Sequence, residues 1–363
     1  MITIINRNSI QPAVSASFTT LTMTKIRTPI TTVAKGFTLR TAVVAAVSMA
    51  GALPLSSQAQ TLCIWDILGT AGDGYALMRD YALGMQRHVS LDLKAFPDEA
   101  EAVRNYQAGN CDALVATSFT TRQFNPLTGS LNAIGATPNP SVVSDAINLL
   151  LSPKLAKEMV VGNNEVAGIV PQGAAYLLVR DRSNNSLEKV HGLKFAAIDI
   201  DKAQQYMIHK VGAQPVVVSL NNFAHEFNSG TVDVAGSPAM AIQPLELYQG
   251  MGDKGGIIRF PVSYVTMDVV IHADKFPEGY GTVSRAWFSS QLKRMMRNVD
   301  RMEKSIKPEY WVDISKEDKA SYSKLMGEMR KDLTDDGVYS AKMIRILDRV
   351  RCYGDPQSVG CTK

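Results

Sequence analysis

The feature that most constrains this chain is an internal repeat. Two separated passages run strand, helix, strand, helix, strand and close on the same local pattern. The first opens with an apolar strand from Thr61 to Leu68. A helix over 75–87 carries Leu77, Met78, Tyr81, Ala82 and Met85 at helical spacing. Residues 89–96 alternate Val89, Leu91, Leu93 and Ala95 on one face, as a strand does. Pro97-Asp98 starts a second helix with acids in its first turn, Gly109 ends it, and Cys111 to Ala116 reads as a buried third strand. The second passage repeats this order. A strand over 193–200 precedes a helix over 201–211 that stops at Gly212, and a strand follows over 214–220. Asn221 caps a short helix ending at Gly230, and Val232 to Ala235 closes the unit. The endings match: Ala108-Gly109-Asn110-Cys111-Asp112-Ala113 against Ser229-Gly230-Thr231-Val232-Asp233-Val234. In both, a glycine terminates a helix and the chain turns at once into a buried strand, with Asp112 and Asp233 as structural turn residues.

Strand–helix alternation implies parallel strands joined by right-handed crossovers, and ligands in such sheets bind beyond the carboxyl ends of strands. Two such units therefore predict two lobes facing across a cleft. The connections between lobes fall on two β-rich runs broken by Gly or Pro, Val166 to Val179 and Ile257 to His272. Helices over 282–306, 316–333 and 340–350 then brace the lobes.

Residues 1–59 contain no Asp or Glu and five basic residues, Arg7, Lys25, Arg27, Lys35 and Arg40. From Met23 onward they read as an export signal: a basic stretch, an apolar run from Thr41 to Leu55, and small residues ending at Ala59. Met23 is the expected true start and cleavage is expected after Ala59. Removing these residues takes the basic count from 38 to 33 against 34 acids, a net charge of −1 instead of +4. The excess of positive charge thus belongs to the leader, which excludes a basic nucleic-acid surface. No later run is long and apolar enough for a membrane-spanning helix. Four cysteines in an exported chain favour two disulfides, although four allow three pairings. Cys63–Cys111 is expected because both sit at the starts of neighbouring strands, and Cys352–Cys361 because it closes a short tail. Their spacing is unlike a zinc or redox pair, and the five histidines are scattered, so no metal and no cofactor are expected.

Lys189-Val190-His191-Gly192-Leu193-Lys194-Phe195, Val211-Gly212-Ala213-Gln214-Pro215-Val216 and Asn228-Ser229-Gly230-Thr231-Val232-Asp233 resemble the TRAP-type periplasmic solute-binding proteins. Nearly the whole mature chain resembles a TRAP-related group of solute-binding proteins. The shared segments include Gly129-Ser130-Leu131, Asp201-Lys202-Ala203-Gln204, Pro244-Leu245-Glu246-Leu247-Tyr248 and Lys275-Phe276-Pro277-Glu278-Gly279. Some members of that group bear the label of RND-type efflux proteins linked to aminoglycoside resistance. That label conflicts with a chain that lacks the membrane helices a pump requires. The resemblance implies an α/β fold of the periplasmic-binding-protein type II kind, with two lobes, a hinge and a ligand cleft. The expected division is a leader over 1–59, lobe 1 over 60–172 plus 258–300, lobe 2 over 173–257, and C-terminal helices with a disulfide-closed tail over 301–363. It also implies an arginine fork for a ligand carboxylate. Here the two arginine positions hold Ala175 and Ala196, and a family asparagine is replaced by Ser237. Arg180 and Arg182 lie nearby and read as solvated surface residues.

The strand ends supply the candidate cleft residues: Asp66, Thr70, Asp73 and Tyr75; Thr117, Ser118 and Arg122; Asp199, Asp201 and Gln204; Ser237 and Met240. This acid-rich set, with Trp65 and Tyr75 nearby, suits a polar and cationic ligand. The competing reading is that Asp73 and Asp201 cap helices. The sequence Gly250-Met251-Gly252-Asp253-Lys254-Gly255 fits a dinucleotide fingerprint, but it follows a helix and precedes a strand, the reverse of what that site needs. The methionines between Met295 and Met302 read as core. The expected function is periplasmic capture of a small polar molecule by a monomer that feeds a membrane transporter, without catalysis. An efflux-associated binding protein and an enzyme using cleft carboxylates are the alternatives.

Overall fold

A computed structural model describes residues 59–354 together with Pro356 and Cys361. Residues 1–58 of the expected leader lie outside the described residues. Strand β1 (Gln60–Trp65) is shorter than its apolar run because Asp66 turns the chain. Its carboxylate accepts the amides of Leu68 and Tyr75, each at 3.0 Å. The second bond caps helix α1 (Asp73–Met85) from outside, since its own N-cap is Gly72 and has no side chain to do so. A Cβ on Gly72 or Gly74 would run into that carboxylate. Strand β2 (Leu91–Phe96) and helix α2 (Glu99–Gln107) follow, and Asp98 caps α2 by accepting the Glu101 amide at 3.2 Å. Strand β3 (Ala113–Thr117), buried throughout, completes the first unit; β1 lies between β2 and β3, parallel to both.

Helices α3 (Ser118–Thr121) and α4 (Pro140–Leu151) lead through β4 (Val160–Val161) to the long strand β5 (Asn164–Val179). The second unit is β6 (Lys194–Ile198), α5 (Lys202–Lys210), β7 (Gln214–Val218), α6 (Phe223–Ser229) and β8 (Val234–Pro238). The N-cap of α6 is Asn222, one residue beyond the expected Asn221; the Asn222 side chain instead accepts the Ser219 amide at 2.7 Å and shapes the preceding turn. Next come α7 (Ala239–Ile242), α8 (Tyr248–Met251), β9 (Gly256–Ile258) and β10 (Ser263–His272). Helix α9 (Tyr280–Lys304), strand β11 (Trp311–Val312) and helices α10 (Lys316–Asp335) and α11 (Ala341–Gly354) end the described chain.

The repeat is real at the level of single hydrogen bonds. In the first unit the Asp112 carboxylate accepts the Thr61 amide at 2.8 Å while the Asp112 amide donates to the Thr61 carbonyl at 2.9 Å. In the second, Asp233 and Lys194 make the same pair of bonds at 2.9 and 2.8 Å. Before each aspartate a glycine holds left-handed backbone, Gly109 at φ 74° and Gly230 at φ 85°.

The sheet order is β2-β1-β3-β10-β5-β8-β6-β7. The two expected connections are therefore mainly strands: β10 runs antiparallel to both β3 and β5, and β5 runs antiparallel to β8. Together they sew the two parallel units into a two-lobed α/β molecule. The β5–β10 ladder shifts register where Val265 faces Gly173 and Thr266 faces Pro171, leaving Gln172 as an unpaired bulge residue. Helix α9 lies across β5, with the Ser284 hydroxyl donating to the Ala167 carbonyl at 2.8 Å and Arg285 paired to Glu165 at 2.6 Å. Helix α10 is tied to α5 by Tyr206, which donates to Asp332 at 2.6 Å, and to the segment before α4 by Arg330, which donates to the Ile134 carbonyl at 2.7 Å. Disulfides join Cys63 to Cys111 and Cys352 to Cys361. Among the described residues no helix is long and apolar enough to cross a membrane.

Candidate functional site

A cavity of about 370 Å³ lies at the carboxyl ends of the strands of both units. From the first unit come Trp65, Asp66, Ile67, Leu68, Asp73 and Thr117, with Phe119 of α3 behind them. From the second come Phe195, Ala196, Ile198, Asp201, Gln204, Gly236 and Pro238. The two long strands add Gln172, Ala175 and Leu177 from β5 and Val265 and Met267 from β10. Met240 of α7, Met302 of α9, and Tyr322, Leu325, Met326 and Met329 of α10 complete this part of the wall.

Of the twelve expected residues, Asp66, Asp73, Thr117, Asp201, Gln204 and Met240 line this cavity. The other six are placed elsewhere. Thr70 sits exposed in the turn before α1, and Asp199 is exposed with its carboxylate on the Ile200 amide at 2.9 Å. Tyr75 gives its amide to Asp66. Ser118 and Ser237 are fully buried, the Ser118 hydroxyl without a partner and the Ser237 hydroxyl donating to the Pro238 carbonyl at 3.2 Å. Arg122 lies just outside the lining and is fully engaged. Its guanidinium donates to the Gly129 carbonyl and the Asn132 side chain, each at 2.8 Å, and reaches the Asp201 carboxylate at 3.5 Å. This last contact bridges the first unit's exit to the first turn of the second unit's α5. Tyr339 stacks under the same guanidinium.

The expectation of an acid-dominated lining is corrected on two counts. First, two of the three acids that line the cavity are committed. Asp66 holds two backbone amides; Asp201 caps α5 by accepting the Ala203 amide at 3.2 Å and pairs with Arg122. Burial still pushes the Asp201 carboxyl above its usual range, against the lowering effect of Arg122. Asp73 is not a cap; it is the first helical residue of α1 and is exposed. Second, the wall is mainly apolar, because it extends past the strand ends onto the sheet face and α10. Ala175 and Ala196, which stand where the family resemblance calls for arginines, both line it, and among the described residues no Lys, Arg or His does. Arg180 donates to the Phe227 carbonyl at 2.8 Å and Arg182 to the Gly255 carbonyl at 2.8 Å, so neither replaces the fork.

Strand-end reasoning missed Gln172, which enters through the β5 bulge; the Pro171-Gln172-Gly173 break in an apolar run is its only sequence signal. It also missed Glu99, buried beneath the cavity. Glu99 accepts the Thr117 amide at 2.5 Å and the Thr120 hydroxyl at 2.6 Å, and desolvation pushes its carboxyl up to about 7. Met302 lines the cavity rather than the core assigned to its helix, whereas Met295 is buried in that core. Among the described residues no cluster of His, Cys, Asp and Glu could hold a metal ion.

The family described as "Solute-binding protein AdeT 1/2" matches residues 86–363. The probable solute-binding protein AdeT1 of Acinetobacter baumannii is 41% identical over 299 residues, covering 82% of this chain and 98% of that protein. The probable solute-binding protein AdeT2 of the same organism is 27% identical over 233 residues, 64% of this chain and 98% of its own length. Among solved structures, a TRAP periplasmic solute-binding protein from Ralstonia eutropha H16 with bound (S)-2-acetolactate superposes with a TM-score of 0.67 at 10% identity, over 81% of this chain and 98% of that one. A TRAP periplasmic solute-binding protein from Haemophilus influenzae with bound L-gulonate gives 0.66 at 11% identity, over 80% and 99%. At these identities the likeness is one of fold.

Proposed function

The chain belongs to the AdeT 1/2 family of solute-binding proteins, and from that premise we propose that it captures a small molecule in the periplasm and delivers it to a membrane transporter, without chemical change to the ligand. The observation that carries this reading is the cavity: it is walled by strand ends from both repeat units, as capture between two closing lobes requires. The lobes are residues 60–172 with 258–300 and residues 173–257, and the mature chain works as a monomer. Asp66, Asp73, Thr117, Asp201, Gln204 and Met240 contact the solute or shape its wall, and Arg122 holds the lobes together through Asp201. The absence of catalysis is supported by the state of the cleft carboxylates. Asp66 and Asp201 are committed to backbone amides and Arg122, and Asp73, the third lining acid, is exposed, as is Asp199 outside the lining. Periplasmic delivery is supported by the export-like leader and the two disulfides.

The test uses mature protein purified from the periplasm. Native mass spectrometry should find one small molecule per chain, and X-ray scattering should show a smaller radius of gyration with that molecule than without it. A chain that consumes the molecule, or binds none while remaining folded, would sink the reading.

A further inference from the structure

Resting on the capture reading above, we infer that the ligand is a predominantly apolar small molecule that carries no carboxylate and offers a neutral hydrogen-bond acceptor. Three observations lead here. The first is charge. A carboxylate entering this cavity would meet Asp66, Asp73 and Asp201 and, among the described residues, no lining cation. The nearby guanidinium, Arg122, already has its ion partner in Asp201 and its remaining bonds on Gly129 and Asn132. Removing an anion from water into such a wall leaves it uncompensated.

The second is the wall itself. Six methionines line the cavity, Met207, Met240, Met267, Met302, Met326 and Met329, and they come from five different elements. Methionine is unbranched and polarisable, and it conforms to apolar and aromatic shapes without one fixed geometry. Trp65 and Phe119 add aromatic surface from the first-unit side. The volume, about 370 Å³, is at the small end of what ligand pockets of this type offer.

The third is an unspent donor. Tyr322 lines the cavity, is buried, and its hydroxyl has no hydrogen-bond partner among the described residues. Desolvation pushes its phenol up to about 12, so it stays protonated and can donate. A buried donor left unmade is unfavourable; the hydroxyl is closed to solvent in this structure, so a carbonyl or ether oxygen on the ligand satisfies it by parting the packing over it. Gln172, turned inward by the bulge, offers a second polar contact.

The experiment uses mature protein freed of carried-over ligand by unfolding and refolding. The neutral fluorescent probe N-phenyl-1-naphthylamine reports binding, and methyl 2-naphthoate and 2-naphthoate compete for it; the two differ in charge and little in shape. The ester should displace the probe at least about tenfold better than the acid. Met240→Glu, at a half-buried position, should weaken probe binding by about tenfold or more with the melting temperature little changed. Ala196→Arg should weaken probe binding and shift the preference toward the acid; because the position is buried, its readout is the acid-to-ester ratio and not the melting temperature. An acid that binds as well as the ester overturns the inference and leaves capture standing. Probe binding that ignores Met240→Glu overturns its assignment to this cavity. No saturable binding of probe, ester or acid overturns the inference, while the capture reading stands or falls on the molecule found per chain in periplasmic protein.

Discussion

In the first unit, β1 and the turn before β3 are joined by Cys63–Cys111; aligned through the reciprocal aspartate bonds, the second unit places Ala196 and Val232 there. The contrast recurs one layer on. The first residue of the unit's second helix is Glu99 in one case and Phe223 in the other, both buried. Glu99 receives the amide of Thr117 at the end of β3. Phe223 lines the cavity, as does Pro238, the residue that stands where Thr117 does. One scaffold has thus been finished in two ways. The first unit is cross-linked and ties the end of β3 to its second helix by a buried carboxylate, whereas the second has no disulfide, packs Phe223 at that place, and ties β6 to α5 through Gln204, which accepts the Ile198 amide at 2.5 Å. The alanine at position 196 therefore stands where the first unit has a disulfide cysteine, and it is also a position at which the family resemblance calls for an arginine.

Removing the cross-link breaks this comparison most severely. Cys63→Ala with Cys111→Ala frees a loop whose ends are 48 residues apart and should lower unfolding stability by about 4 kcal/mol, read by urea denaturation against the oxidised wild type. Cys352→Ala with Cys361→Ala opens only 9 residues of tail and should lose less. If the two double variants lose the same stability, the first unit is not the stapled one.

The next largest effect should come from the contact between the units. Arg122 and Asp201 have side chains 14% and 9% exposed, so removing one leaves the other buried without its partner. Arg122→Met or Asp201→Asn alone should destabilise by about 3 kcal/mol. The double variant should be more stable than the sum of the two losses predicts, the signature of coupling in a double-mutant cycle. Additive losses would mean that Arg122 and Asp201 do not couple the units, which the β5–β10 strands and helix α10 then join without them.

How much of this was legible in the sequence follows the same divide. The repeat, the glycine stops, the aspartate turns and both disulfides were readable, because each depends on residues close in sequence or on a pattern that recurs. Strand lengths were less so. Ile67 and Leu68 extend the apolar run of β1, but they are apolar because they line the cavity, and Asp66 has already turned the chain. The cavity wall was the least legible part. Its six methionines are gathered from five elements by tertiary packing, and no local periodicity marks them as neighbours. Nor does sequence show that Asp66 spends its oxygens on a helix it precedes, or that Asp201 meets an arginine from the other unit. An aspartate at a strand end reads as a ligand contact until its partners are known.

Acid–base behaviour offers a gentler way to separate the units. The Glu99 carboxyl, at 4.5 when unperturbed, is held at about 7, and Asp268, at 3.8, is held at about 6; burial is the main cause for both. The folded state therefore binds these protons more tightly than the unfolded chain does. The stabilisation they bring is full below the unfolded values and is lost as pH rises through the folded ones. Between pH 4.5 and about 7 the wild type should lose on the order of 2 kcal/mol from Glu99 alone. Glu99→Gln keeps an acceptor for the Thr117 amide and should flatten that part of the profile in thermal melts at fixed ionic strength. A steep profile that survives the substitution would place the titrating group elsewhere.

The smallest expected effect tests the equivalence from which the comparison starts. Asp112→Ala and Asp233→Ala each remove one acceptor from the first strand's amide, at 2.8 and 2.9 Å, and both aspartates are half-buried. If the units differ only in how their walls are finished, the two losses should agree, each at about 1 kcal/mol. The disulfide complicates this in a useful way. Cys111 adjoins Asp112, so the cross-link can hold β1 against β3 after the side-chain bond is gone, whereas β6 and β8 have no such support. In the oxidised protein the Asp233→Ala loss should then exceed that of Asp112→Ala, and in the Cys63→Ala, Cys111→Ala background the two should converge. Convergence would show that the staple and the aspartate serve the same junction. A difference that persists without the disulfide would mean that the two turns, alike in geometry, carry different loads.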